Sequence, residues 1–172
     1  MGTLCLAFLG CDGDSTDPDR VALEATFSGP FAETYNYQSL TGGGSSTCVV
    51  TYDVAGTVSV ELDDPGGTSP GTIEVEWSET MSGKTGNGCG DEGGNRNGGM
   101  IGDLTGTHAD FRFADERIAT GPLPITTRID VVGSQTDAGA TATVTIGHTA
   151  SGTIETTAIN LSGSATWSVT LR

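Results

Sequence analysis

The sequence predicts an all-β fold, an antiparallel β-sandwich of about nine strands. Three observations carry this. From residue 21 onward the apolar residues recur with period two, which places them on one face of an extended chain. Threonine, valine and isoleucine dominate those stretches, as a half-buried pleated surface favours. Short glycine-, serine- and aspartate-rich segments interrupt them, and no stretch shows a sustained 3.6-residue period. One apolar and one polar face joined by short turns means antiparallel pairing. Whether the strand order is immunoglobulin-like or jelly-roll-like stays open at this point.

The elements follow in order. "VALEATFSG" and "ETYNYQS" give two opening strands, and "STCVVTYDV" a third. "TVSVEL" turns Val58, Val60 and Leu62 inward and Ser59 and Glu61 outward. "TIEVEWSE" buries Ile73, Val75 and Trp77 and exposes Glu74, Glu76 and Ser78. "HADFRF" buries Ala109, Phe111 and Phe113, and "FADERIAT" is the one stretch that suits a turn of helix. "PITTRIDVV" buries Ile125, Ile129 and Val131. "ATATVTI", "GTIETTAINL" and "ATWSVTL" complete the set, the last with Trp167, Val169 and Leu171 inside. Turns are expected at "DDPGGTSPG", "SQTDAG", "HTASG" and "LSGS".

With 172 residues the chain suits one main domain. Its 22 carboxylates against seven Lys and Arg give a formal charge of −15. That surface repels phosphate backbones, so nucleic acid is excluded as a partner, and it suits divalent cations or plain solubility.

At the N-terminus, "TLCLAFLG" is apolar for about eight residues, far short of the roughly 20 needed to span a bilayer, and has the length of a signal-peptide core. It ends at Cys11, and the acidic "DGDSTDPDR" follows. Phe8-Leu9-Gly10-Cys11 resembles the lipobox of bacterial lipoproteins. The resemblance implies a signal peptide over residues 1–10, lipidation of Cys11, an acidic tether over 11–20 reaching at most roughly 30 Å, and one domain over 21–172. It further implies a domain held at a membrane of the cell envelope, facing the periplasm or exterior, since two or more acyl chains give stable anchoring.

Cys48 and Cys89 form an even pair in a chain read as exported, so a disulfide is expected between them. Cys89 falls in "SGKTGNGCGDEGGNRNGGMIG", residues 82–102, read as a long structureless loop that the bridge pins to the sheet. Asp91, Glu92, Asn95 and Asn97 of that loop, with Asp103, offer oxygen ligands at spacings that suit calcium. The glutamate of an EF-hand loop is missing, because Gly102 stands at that position. Asp63 and Asp64 make a second acidic turn.

Two histidines are present. His108, Asp110 and Arg112 alternate on one predicted strand face, as an oriented base would, or as an ordinary solvated face does. His148 falls in a predicted turn. No G-x-S-x-G, HExxH or P-loop occurs. Tyr35, Tyr37 and Trp77 would serve as a sugar platform only if exposed, and Trp77 shares its row with Ile73 and Val75. The resulting expectation is a non-enzymatic envelope lipoprotein with a structural or interaction role and an unidentified protein or glycan partner. The alternative is a calcium- or glycan-binding module using residues 82–102.

Overall fold

A computed structural model describes residues 20–63, 68–136 and 138–172. Cys11 and the expected signal peptide lie outside the described residues, as does Asp64. All described elements are strands: β1 (Val21–Ser39), β2 (Ser45–Leu62), β3 (Gly71–Gly86), β4 (Arg96–Asp103), β5 (Thr105–Gly106), β6 (Asp110–Ala119), β7 (Ile125–Thr136), β8 (Gly139–Ile154) and β9 (Thr157–Leu171). They form one antiparallel sheet in the order β4-β3-β2-β1-β9-β8-β7-β6-β5.

The sheet curls into a nearly closed barrel. β4 runs through the buried Leu104 into β5, and Thr105 and Gly106 pair with Arg112 and Phe111, so the outer strands meet at one end. Beyond that point the free edges of β4 and β6 diverge. A cleft of about 370 Å³, lined by Trp77, Gly98, Met100, Ile118 and Thr127, lies between them. A second opening divides β1 from β9. These strands pair from Ser39↔Thr157 to Glu33↔Gly163, and rejoin where Glu24 and Arg172 exchange backbone hydrogen bonds at 2.9 and 3.0 Å. Pro30, which has no N–H to give a ladder, lies in the unpaired interval. The Trp167 indole covers Gly29 there and packs on Phe27 at 5.2 Å. The two openings leave β1–β4 and β5–β9 as approximate layers, which is how far the two-sheet expectation describes a continuous sheet.

The strands are longer than the sequence suggested. β1 has 19 residues and joins both opening segments through Gly29-Pro30, and β2 has 18. The "HTASG" and "LSGS" segments, expected as turns, lie inside β8 and β9. Small residues are permitted there because cross-strand pairing, not local turn chemistry, satisfies their backbone. "FADERIAT" is strand along most of its length, in β6, paired with β7. Ala109 precedes β6 and is exposed rather than buried.

Inward rows match the period-two reading. Val58, Val60, Leu62, Ile73, Val75, Phe111, Phe113, Ile129 and Val131 are buried, while Trp167 and Val169 are half-buried. Glycine has a packing role in these rows. Phe27, Trp77 and Phe111 each lie across the ladder from a glycine (Gly56, Gly98 and Gly133), with ring atoms occupying the space a Cβ would need. The Cys48–Cys89 disulfide, with Cα atoms 4.9 Å apart, ties β2 to the β3–β4 connection. That connection is shorter than expected: β3 extends to Gly86 and β4 begins at Arg96.

Candidate functional site

The alternation that builds the core also carries four polar groups into it. On β1 the inward row is Phe27, Phe31, Glu33, Tyr35. On β3 it is Ile73, Val75, Trp77, Glu79. On β8 it is Ala142, Val144, Ile146, His148. Glu33, Glu79 and His148 are 0, 1 and 2% exposed. The fourth member, Arg96, opens β4 directly across the ladder from Glu79 and retains 26% side-chain exposure.

These side chains converge across the lumen. Glu33 Oε1 lies 2.6 Å from His148 Nδ1, and Glu33 Oε2 lies 2.7 Å from Arg96 Nη2. Glu79 Oε1 lies 3.3 Å from His148 Nε2, and its Oε2 3.0 Å from Arg96 Nε. Both Arg96 contacts are ion pairs at close range, and Arg96 Nη1 also lies 3.1 Å from His148 Nδ1. Tyr35 and Tyr52 hydroxyls donate to Glu33 Oε2 at 3.1 and 3.0 Å, and the Trp77 indole N–H donates to Glu79 Oε1 at 3.0 Å. The Arg96 guanidinium stacks 4.7 Å over the Tyr52 ring, and Phe31 meets the imidazole edge-on at 5.2 Å.

Gly163 makes the central contact possible. It is the ladder partner of both Glu33 and His148, on the strand between them. A Cβ at this position would sit 2.5 Å from the Ala32 carbonyl oxygen and 3.1 Å from Glu33 Cα and Cγ. Without a side chain there, the carboxylate and imidazole meet over bare backbone.

The environment sets the charges. Burial would push the Glu33 carboxyl up, but hydrogen bonding and charge from His148 and Arg96 outweigh it and hold Glu33 at about 2. For Arg96, burial works against the charged form, and the Glu33 and Glu79 carboxylates more than compensate, so it stays cationic. Burial and the Glu33 charge push the Tyr52 phenol up to about 12 and Tyr35 higher still, so both remain donors. The cluster contains no Ser, Cys or Lys nucleophile, and among the described residues no group of three or more His, Cys, Asp or Glu is placed to hold a metal.

The residues singled out from sequence are placed differently. Asn97 and Asp103 are exposed at the two ends of β4. Asn95 caps the Met81 N–H at 3.0 Å, Glu92 accepts from the Gly90 N–H, and Asp91 is exposed. The five oxygen donors therefore spread along a short loop and a strand. Asp63 pairs with Arg20 at 3.0 Å. His108 lies in a bend before β6 with its Nε2 buried, apart from the exposed Asp110 and Arg112 with which it was expected to share a face. The Asp110 N–H bonds Thr107 Oγ1. Tyr35 and Trp77 are buried and Tyr37 half-buried, so no exposed aromatic platform forms from them. A larger depression of about 510 Å³ lies on the outer face of β7–β9, among Val132, Thr141, Thr143 and Ser168, remote from the titratable cluster.

Sequence reading missed Glu33, Glu79, Arg96 and His148. The available signal was the unbroken alternation: "FAETY" sets Glu33 between Phe31 and Tyr35, and "VTIGH" continues an apolar row to His148. No protein-family model, curated protein or solved structure matches the chain.

Proposed function

We propose that this chain is a non-enzymatic module of the cell envelope, carried on a lipid anchor at Cys11, with a structural or interaction role. The observation that supports the reading best is the Cys48–Cys89 bridge, closed between residues 41 apart in sequence. Such a bond persists in an oxidising compartment and suits an exported domain. The arrangement of polar groups agrees with it. The titratable side chains of the lumen are engaged with one another and with tyrosine and tryptophan donors, rather than aimed at an open cleft. The outward rows of β7–β9 are rich in threonine and serine, as a solvated envelope domain requires. The test is to express the chain with its native leader and label it with a palmitate analogue. Label on the native chain and none on Cys11→Ser is the expected result. An unlabelled native chain, or label that survives the substitution, would remove the anchor from the model of function.

A further inference from the structure

The buried cluster has an unequal charge balance. Glu33 and Glu79 bring two carboxylates, and Arg96 one permanent cation. His148 presents Nδ1 to one carboxylate at 2.6 Å and Nε2 to the other at 3.3 Å, and Arg96 Nη1 lies 3.1 Å from the same Nδ1. At 2.6 Å from the Glu33 oxygen, Nδ1 must carry a hydrogen, since two bare acceptors would repel at that range, and a neutral imidazole then has none left for Nε2 to offer Glu79. Protonated at both nitrogens, His148 serves both carboxylates and balances the cluster. Deprotonated, it faces one of them with a lone pair in a water-poor lumen and leaves a net negative charge there.

We propose that His148 is a proton-operated latch on edge strand β4: as an imidazolium it holds Glu33 and Glu79 in place to clasp Arg96, and loss of the proton loosens that end of β4 along the open seam. Topology supplies the second half of this inference. Arg96 is the first residue of β4, which pairs with β3 on one side and has a free edge toward β6 on the other. Its side-chain clasps at that end of the strand run to β1 through Glu33, to β3 through Glu79 and to β8 through His148, whose Nδ1 lies 3.1 Å from Arg96 Nη1. Arg96 is also the one member of the quartet with solvent access, which gives the proton a route. The titratable and charged groups that face or bond the latch are Glu33 and Tyr35 from β1, Tyr52 from β2, Glu79 from β3 and Arg96 from β4. β7 and β9 present only Thr127 and Gly163 opposite His148. The inference does not depend on the lipid anchor.

The experiment uses the folded chain with 15N-labelled histidine, His108 serving as internal comparison. At about pH 6 both His148 ring nitrogens should show protonated shifts. Raised toward about pH 9, amide protection in β4, corrected for intrinsic exchange, should fall roughly tenfold or more relative to β7. A single neutral tautomer already present at about pH 6, or β4 protection that follows β7 throughout, overturns the proposal. In His148→Gln the pH dependence of β4 protection should vanish, and its persistence would assign it to another group and overturn the latch. The wild-type readouts decide the matter without the variant.

Discussion

The two ends of the barrel are built from the same alternating strands and filled in opposite ways. At the end where β2 and β7 finish and β3 and β8 begin, Val60, Leu62, Ile73, Phe111, Val131 and Leu171 close the lumen with hydrocarbon, and Leu104 is buried where the outer strands meet. At the other end, Glu33, Glu79, Arg96 and His148 fill it with charge, framed by Tyr35, Tyr52 and Trp77, and the disulfide lies outside them. Apolar filling is non-directional and tolerates small errors of fit. A buried ionic cluster is directional, and removing one member strands the others in a medium that solvates them poorly. The seam fits this contrast. The sheet edges join at the hydrocarbon end and diverge toward the charged end.

The sharpest way to break the contrast is Glu33→Ala. It deprives His148, Arg96 and two tyrosines of their acceptor at once. We expect a loss of roughly 3–5 kcal/mol in denaturant unfolding, against about 0.5–1.5 for Ile73→Val at the hydrocarbon end. Equal losses at the two sites would mean that charge and hydrocarbon are interchangeable here. The disulfide comes next. Cys48→Ser with Cys89→Ser should cost roughly 2–4 kcal/mol, read as a lower urea midpoint that matches wild type under reductant.

Acid should discriminate between the ends as well. Glu33 sits at about 2 in the folded chain, below its ordinary 4.5. A depressed carboxyl contributes stability that is fully present above about 4.5 and disappears as pH falls through about 2, here roughly 3 kcal/mol. Thermal melts from pH 5 down to 2 should therefore show a slope that Glu33→Gln removes. Gly163→Ala should cost roughly 1–3 kcal/mol by pushing Glu33 from His148, and a variant as stable as wild type would show that the strands yield easily there. The smallest effect concerns calcium: at millimolar concentration it should move the melting temperature by less than about a degree, since the oxygen donors of 91–103 are dispersed. A larger shift would show that a ligand site forms there on binding.

Fold class was legible because a pleated strand converts sequence parity directly into sidedness. Val58, Val60 and Leu62 could be placed inside from their spacing alone, and so could Ile73, Val75 and Trp77. Strand ends were harder to read. Gly147, Gly152 and Ser162–Ser164 carry turn-forming composition, yet they lie in β8 and β9 because their neighbours satisfy their hydrogen bonds. The glycines of β4 read as loop for the same reason, although Gly98 is the ladder partner of Trp77.

Local sequence thus determined which side chains of each strand share a face and that the faces are apolar enough to close on one another. Tertiary structure alone decided which faces meet. Glu33 and His148 are 115 residues apart and Glu79 and Arg96 belong to separate strands, so nothing local marks them as partners. A glutamate inside an apolar row is ambiguous until the opposite wall supplies a cation. Sheet register, with Gly163 as the gap between two strands, provides that wall.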